Sequence, residues 1–267
     1  HYYIAPLSTQ LLAGAKTQLS YSAVDTNYIP ISTNSGASWS ASSGSITESG
    51  LFTAPSGGGT STVVIRGGRP LHGGTYTVIP DRIAAATYLC AAASAGGDIF
   101  LRGAREAHLS TVTAALREAG CAINGDSGGI ACRCAGRLNA PRPIRTAPYP
   151  GFPTDAQAIV MAALLRCRGA AVFEENLFSS RYRHVDELAR MGADIRTSGR
   201  VAVVLGVERL HGAAVRSTDL RGGAALCVAA LTAEGETVVS DIAHIDRGYQ
   251  SLEQDLTALG AEIKRAE

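Results

Sequence analysis

The first candidate for chemistry is an aspartate at the head of a long apolar run. The segment 151–165 reads GFPTDAQAIVMAALL, and its only charged residue is Asp155. A carboxylate at a helix start accepts hydrogen bonds from free backbone N–H groups, and a carboxylate can also remove a proton from a substrate hydroxyl. Asp81 and Asp219 head similar runs. We expect all three to cap helices, and Asp155 and Asp219 remain open to a second, chemical role.

Cysteine and histidine are the other residue types that could do chemistry here. The triplet CRC at 132–134 lacks the usual zinc-ligand spacing and has no matching His pair. We expect His184 and His244 to be structural, because they lie at the edges of predicted elements. We expect buried, reduced thiols, with a metal or disulfide role as the alternative, at Cys90, Cys121, Cys132, Cys134, Cys167 and Cys227.

The elements that position these residues repeat three times from about residue 70 onward. Each copy opens with one of the aspartates and an apolar helix, continues with a β-like run, and has an amphipathic helix that ends at glycine before a further strand. The closing glycines are Gly120, Gly192 and Gly260, which suit the left-handed position after a helix. The amphipathic faces are Val185, Leu188 and Met191 in the second copy and Leu252, Leu256 and Leu259 in the third.

The opening helices are apolar almost all round, so other elements must enclose them. Three units of this kind predict a pseudo-threefold α/β (α+β) domain rather than a doubly wound sheet.

The N-terminal part differs sharply in composition. Residues 1–67 contain 21 Ser or Thr and four charged residues, and short alternating runs separated by Gly and Ser predict an all-β segment. The words WSASSGSITESGLFTAP (39–55) resemble a bacterial immunoglobulin-like module, with Trp39 as its core anchor. A Ser/Thr-rich linker is the alternative. The boundary predicted is 1–62 for this segment and 63–267 for the repeats, although VVIRG (63–67) could be a strand of either.

Charge and hydropathy argue against two classes of function. A net charge of +1 gives no support for a nucleic-acid binder. The apolar run 83–97 falls short of the roughly 20 residues that a membrane-spanning helix needs, so we predict no membrane segment and a buried helix instead.

The repeat region resembles the enolpyruvyl transferase family, in particular the C-terminal part of its UDP-N-acetylglucosamine 1-carboxyvinyltransferase branch. The words that carry the resemblance include RTAPYPGFPTDAQA, RHVDELARMGADI, STDLRGGAAL and EGETVVSDIAHIDRGY. The resemblance implies an inverse α/β prism of three βαβαββ-type repeats. It also implies a cytoplasmic enzyme that transfers the enolpyruvyl group of phosphoenolpyruvate to the 3′-hydroxyl of UDP-N-acetylglucosamine, with no metal or organic cofactor. The motif HIDRGY makes another transferase of the same fold a weaker alternative.

The resemblance also assigns site residues. Asp155 matches the carboxylate that contacts the sugar hydroxyl, and Leu177 matches a position whose backbone contacts the sugar nucleotide. Arg181, Arg221 and Arg247 match arginines near the reacting groups, where guanidinium forks bind phosphate and carboxylate. Arg247 is the strongest candidate for phosphoenolpyruvate. Asp219 is added as a substrate-binding candidate.

Two departures from the family pattern stand out. The usual FENRF and TDLRASASL are FSSRY and TDLRGGAAL here, so packing near Arg181 and Arg221 is expected to differ. No stretch matches the family's first prism domain, which supplies a reactive cysteine. We therefore expect a fusion of two fragments with little activity alone and a first prism domain as partner. The alternative is a non-catalytic adhesion or scaffolding protein at the cell surface.

Overall fold

The computed structural model describes residues 2–5, 11–24, 30–31, 37–57, 60–67 and 75–266. The chain divides into two compact units, His1–Thr77 and Val78–Glu267. Each unit is described by itself.

The described residues of the first unit form strands and no helix. All pairings among these strands are antiparallel, in the orders β1–β3–β4, β2–β7–β6 and β5–β8. The strands are β1 (Tyr2–Ala5), β2 (Lys16–Gln18), β3 (Ser20–Val24), β4 (Pro30–Ile31), β5 (Ala37–Ala41), β6 (Ser45–Ile46), β7 (Leu51–Thr53) and β8 (Val63–Gly67).

Strand β8 is the segment VVIRG that the sequence left open between the two parts. It pairs with β5, so that Trp39 lies opposite Ile65. Trp39 packs closely over Gly50, where an added Cβ would lie 2.8 Å from the indole ring. Among the described residues of this unit, Leu19 and Phe52 are the buried hydrophobic side chains.

The second unit contains the three predicted copies, built from helices and short strands. In chain order its elements are α1 (Arg82–Ala95), β9 (Asp98–Arg102), α2 (Ser110–Glu118), β10 (Ala122–Gly125), β11 (Gly129–Arg133), β12 (Ile144–Arg145), α3 (Thr154–Ala163), β13 (Ala170–Glu174), α4 (Val185–Arg190), β14 (Asp194–Ser198), β15 (Val201–Leu205), β16 (Leu210–His211), β17 (Ala214–Arg216), α5 (Leu220–Ala230), β18 (Ala233–Glu234), β19 (Val238–Ser240), α6 (Ala243–Asp246) and α7 (Leu252–Ala258).

Helices α1, α3 and α5 form the centre of this unit. They pack against one another and are buried on most of their surface, as their apolar sequences predict. Many of their buried residues are Ala, with Gly or Cys in α1 and α5, and small side chains let helix backbones approach closely. Among the described residues, no helix is both long and apolar enough to cross a membrane.

The surface helices and sheets repeat around this centre. In the first copy β9 pairs with β11 and β11 with β10, and in the second β13 pairs with β15 and β15 with β14, all antiparallel. In the second and third copies the strands on either side of the central helix pair in parallel, β12 with β13, β16 with β18 and β17 with β19. The mixed α/β class predicted from the sequence is confirmed.

The prediction that a left-handed glycine ends each amphipathic helix is also confirmed. Gly120, Gly192 and Gly260 have φ values of 113°, 88° and 101°, which a side chain rarely adopts. They end α2, α4 and α7, so each amphipathic helix stops where the sequence indicated.

Two predictions for the third copy are wrong. No strand follows Gly260, because residues 261–266 have no hairpin partner among the described residues, unlike β10 and β14. Leu259 is exposed, while Leu252 and Leu256 are buried. Met191 holds the same position directly after α4 and is buried, whereas in the third copy the described residues form no strand after Gly260 to cover Leu259.

Candidate functional site

The first turns of α3 and α5 meet at one end of the second unit, and contacts through Tyr249 link them to α1. Arg221, in the first turn of α5, has its Nε 3.9 Å from Oδ2 of Asp155 in the first turn of α3. Its Nη1 donates to the Tyr249 hydroxyl at 3.1 Å, and that hydroxyl lies 2.7 Å from Thr87 Oγ1 in α1. Helix N-termini carry partial positive charge and free N–H groups, so this end favours anions.

Asp155 does not cap its helix, contrary to the sequence prediction. The residue before α3 is Pro153, the helix starts at Thr154, and no side chain forms a capping bond there. The Asp155 carboxylate instead accepts a hydrogen bond of 2.6 Å from Nη2 of Arg181. Its side chain is 47% exposed, so a ligand can reach it.

Asp81 and Asp219 do cap their helices. Oδ1 of Asp81 accepts from the backbone N–H of Ile83 and Ala84 at 2.7 and 3.2 Å. Oδ1 of Asp219 accepts from the N–H of Arg221 and Gly222 at 3.0 and 2.9 Å. For Asp219 both capping bonds fall on one oxygen, so Oδ2 is left for another contact.

Arg181 lies between an aromatic ring and the carboxylate. Its guanidinium carbon is 5.4 Å from the centre of the Phe178 ring, which is exposed. The next residue, Tyr182, stands where the family pattern has Phe, and its hydroxyl lies 3.0 Å from the Arg200 carbonyl. Burial, followed by the charge of Glu175, raises the pKa of Tyr182 to about 12. Tyr182 therefore acts as a neutral donor that holds this loop.

Glu175 is a buried carboxylate that the sequence analysis did not single out. Oε1 accepts from Thr146 Oγ1 at 2.9 Å and from the N–H groups of Leu177 and Phe178 at 2.9 and 3.1 Å, and Oε2 accepts from Thr154 Oγ1 at 2.8 Å. These bonds join the loop after β13 to the start of α3. No sequence signal separates Glu175 from its neighbour Glu174, which pairs with Arg145 at the surface.

Leu177 is placed by this loop. Because Glu175 takes its N–H, the carbonyl oxygen is the backbone group of Leu177 that remains for a ligand. The side chain is partly exposed at the same end of α3. The sequence prediction concerned the backbone at this position, and the geometry is compatible with it.

Arg221 is the most buried of the candidate arginines, with its side chain 12% exposed. Its guanidinium carbon lies 5.5 Å from the centre of the Tyr249 ring, and its Nε is buried without a hydrogen-bond partner. Gly222 and Gly223 follow it, at the second departure from the family pattern. A Cβ on Gly223 would lie 2.2 Å from Ser217 Oγ, so this glycine lets α5 approach the residue that follows β17 closely.

Arg247 is not joined to the cluster. It directly follows α6 and is exposed, and its guanidinium forms no hydrogen bond or ion pair within the described part of the chain. It lies two residues before Tyr249, so the loop that anchors Arg221 also carries Arg247.

His184, predicted to be structural, is buried next to the cluster. Its Nε2 has no hydrogen-bond partner. Burial lowers the pKa of His184 to about 4, since Asp219, which raises it, and Arg181, which lowers it, have smaller effects. The imidazole is therefore neutral at physiological pH and adds no charge to the site.

The cysteines lie away from this cluster. All six are buried and free, so the predicted burial is confirmed. Burial raises the pKa of the Cys90 thiol, and that of Cys227 to about 12, which keeps both protonated. Within the described ranges, no group of three or more His, Cys, Asp or Glu is arranged to hold a metal ion.

A carboxylate in the first turn of α3, with Arg221 from the first turn of α5 and Arg181 from the loop after β13 beside it, defines an α/β domain suited to anionic ligands. The fold is similar to that of the enolpyruvyl transferase NikO from Streptomyces tendae, with a TM-score of 0.62 and 27% identity over 72% of this chain and 45% of NikO. It is also similar to EPSP synthase from Acinetobacter baumannii, with a TM-score of 0.57. At 22% identity, that second likeness shows the fold alone.

The chain belongs to the EPSP synthase (3-phosphoshikimate 1-carboxyvinyltransferase) family, whose sequence profile matches residues 53–256. It is 50% identical over 214 residues to UDP-N-acetylglucosamine 1-carboxyvinyltransferase of Zymomonas mobilis and 52% identical over 207 residues to that of Novosphingobium aromaticivorans. These matches cover 78% of this chain and 49% and 48% of the two relatives. The chain thus spans about half the length of the curated relatives it matches.

Proposed function

We propose that this chain carries one part of an enolpyruvyl transferase active site. The reaction would move the enolpyruvyl group of phosphoenolpyruvate to the 3′-hydroxyl of UDP-N-acetylglucosamine, in cytoplasmic synthesis of peptidoglycan precursors. The single observation that carries the proposal is Asp155, held between Arg181 and Arg221 at the helix N-termini. The names of the relatives support the choice of substrates.

The geometry suggests how the roles are divided. Asp155 contacts the sugar hydroxyl and removes its proton as the oxygen adds to C2 of phosphoenolpyruvate, while C3 takes up a proton from the reactive cysteine expected in the first prism domain. Loss of phosphate from C2 and of a proton from C3 then restores the double bond and completes the transfer. The Leu177 carbonyl and Oδ2 of Asp219 contact the sugar nucleotide. Arg181, Arg221 and Arg247 bind the phosphate and carboxylate groups, because guanidinium forks match both. The chemistry requires no metal or organic cofactor.

The ion pair between Asp155 and Arg181 has to open for this chemistry. Arg181 occupies the carboxylate that the sugar hydroxyl needs. A partly exposed ion pair contributes only about 1 kcal/mol or less, so substrate binding can exchange it at small cost. The anion then takes Arg181, and the hydroxyl replaces it on Asp155.

Substrate binding tests the proposal. We expect the full chain to bind UDP-N-acetylglucosamine in calorimetric titration, and Asp155→Asn to weaken binding about tenfold, because a charged hydrogen-bond acceptor is lost. Asp186→Asn makes the same change at an exposed position of α4 and is the control. Binding that Asp155→Asn leaves unchanged would contradict the assigned role.

We also propose that the family's first prism domain, supplied by another chain, completes the site, since such sites close between domains. The expected result is slow phosphate release by this chain alone and faster release after addition of the N-terminal half of the Novosphingobium aromaticivorans relative. Rapid release without that half would show that the first prism domain is dispensable.

For the N-terminal segment we propose an immunoglobulin-like module over residues 1–62, followed by the transferase part at 63–267. The antiparallel pairing of all its described strands and the packing of Trp39 support this proposal. Two observations differ from a boundary at residue 62. The pairing of β8 with β5 joins residues 63–67 to the first segment, whereas the family match already starts at residue 53. A crystal structure of the segment with seven sandwich strands would bear it out.

A further inference from the structure

A line of hydrogen bonds runs through the interior to Arg221. Thr87 Oγ1 lies 2.9 Å from the Ile83 carbonyl and 2.7 Å from the Tyr249 hydroxyl, and that hydroxyl lies 3.1 Å from Nη1 of Arg221. Thr87 and Tyr249 are 1% and 5% exposed, so water does not compete for these bonds. The line joins the first copy to the third and ends beside Asp155 of the second.

The direction of each bond is fixed by the number of protons. A carbonyl only accepts, so the Thr87 hydroxyl proton goes to Ile83. Thr87 must then accept the proton of Tyr249. The Tyr249 oxygen is left to accept from Arg221, whose guanidinium can only donate. Every member donates toward Ile83, and each bond polarises the next in the same sense.

This arrangement leaves Arg221 with little freedom. Its Nη1 is bonded inward, its plane lies near the Tyr249 ring, and its Nε faces the Asp155 carboxylate at 3.9 Å. The Nε is buried and has no hydrogen-bond partner. A donor in that state is ready for an acceptor that arrives with a ligand.

We propose that Tyr249 is a positioning residue whose hydroxyl, anchored by Thr87, fixes the Arg221 guanidinium against Asp155 for an anionic ligand. The ligand in question rests on the proposed function, whereas the orientation of Arg221 does not. A guanidinium that is already held in place binds an anion without a further loss of side-chain conformational entropy.

The orientation can be measured without any ligand. In ¹⁵N nuclear magnetic resonance spectra of the full chain, the two Nη atoms of Arg221, assigned by Arg221→Lys, should give separate signals because rotation of the guanidinium is slow. Tyr249→Phe removes only the hydroxyl and keeps the ring, and it should merge the two signals. Tyr88→Phe is the matched control. Tyr88 directly follows Thr87 in α1, but its hydroxyl bonds to Asp255 and not to Tyr249 or Arg221.

Thr87 provides the graded test. Thr87→Val should free the guanidinium in part, since Tyr249 loses its acceptor but can still accept, whereas Thr87→Ser should restore the separate signals. For phosphoenolpyruvate added in the presence of UDP-N-acetylglucosamine, we expect Tyr249→Phe to weaken binding about tenfold and Thr87→Val less. Thermal unfolding of each variant shows whether the fold is retained.

The outcomes separate the two ideas. Separate Nη signals that persist in Tyr249→Phe overturn the positioning role, whatever the ligand does. Signals that merge as expected, in a chain that binds neither substrate, support the positioning of Arg221 and refute the proposed function. Merged signals with unchanged binding overturn the claim that orientation serves ligand binding.

Discussion

At the scale of single residues, the aspartate near the start of each central helix has one of two roles: it caps the helix or it binds an arginine. Asp81 and Asp219 stand just before α1 and α5 and bind free N–H groups there. Asp155 is the second residue of α3 and binds Arg181 instead. The sequence shows the carboxylate in each copy, but the start of the helix decides what it contacts.

Substitutions at these positions should distinguish the two roles. Asp81→Ala should lower the free energy of unfolding by about 1 kcal/mol and Asp81→Asn by a few tenths, because Asn also caps helices. At position 155 Ala and Asn should have similar effects, since no capping bond exists to be kept. Urea unfolding followed by helical circular dichroism measures this. Recovery of about 1 kcal/mol by Asn at position 155 would indicate a cap after all.

His184 makes the stability of the second unit depend on pH. Its folded-state pKa of about 4 is below the unfolded value of about 6.5, so the unfolded chain binds the proton first as pH falls. Stability is therefore retained above pH 6.5 and lost between about pH 6.5 and 4, by at most about 3 kcal/mol. In urea unfolding over this range, His184→Gln should flatten the profile. A profile of the same slope in the variant would assign the pH dependence to other groups.

At the scale of elements, a carboxylate holds the loop after β13 against α3. Glu175 receives four hydrogen bonds, from two threonine hydroxyls and two backbone N–H groups. Leu177, the candidate for backbone contact with the ligand, is one of these donors. The shape of the loop therefore depends on a residue that does not itself reach the ligand.

Glu175→Ala should lower the free energy of unfolding by about 3 kcal/mol, because buried donors lose their acceptor. Glu175→Gln can keep its oxygen at Oε1 and should cost about 1 kcal/mol. Amide hydrogen exchange at Leu177 and Phe178 should speed up in the Ala variant and change little in the Gln variant. Equal exchange in both variants would show that the charge, rather than the acceptor geometry, holds the loop.

At the scale of the whole molecule, the site exists only because three copies pack together. The apolar runs and closing glycines predicted the central helices and the ends of α2, α4 and α7, because those features depend on local sequence. The roles of Glu175 and Tyr249 could not be predicted from local sequence. The bond between Tyr249 and Thr87 spans 162 positions in the chain, and Glu175 resembles its exposed neighbour until the loop folds around it.

The two units should unfold in separate steps. Trp39 is the only tryptophan and lies in the first unit, while the described helices all lie in the second. We expect tryptophan fluorescence to change at lower urea concentration than helical circular dichroism, because the described part of the first unit buries few large side chains. Coincident transitions would mean that the two units unfold as one.

The early start of α3 has a meaning for protein design. In α1 and α5 the helix begins after the aspartate, whereas in α3 it begins one residue before it. Extending the helix releases the carboxylate from the backbone without any change of residue type. A designer working with a symmetric triplicate scaffold could therefore create one reactive position by shifting a helix boundary, while its two counterparts continue to hold their helices in place.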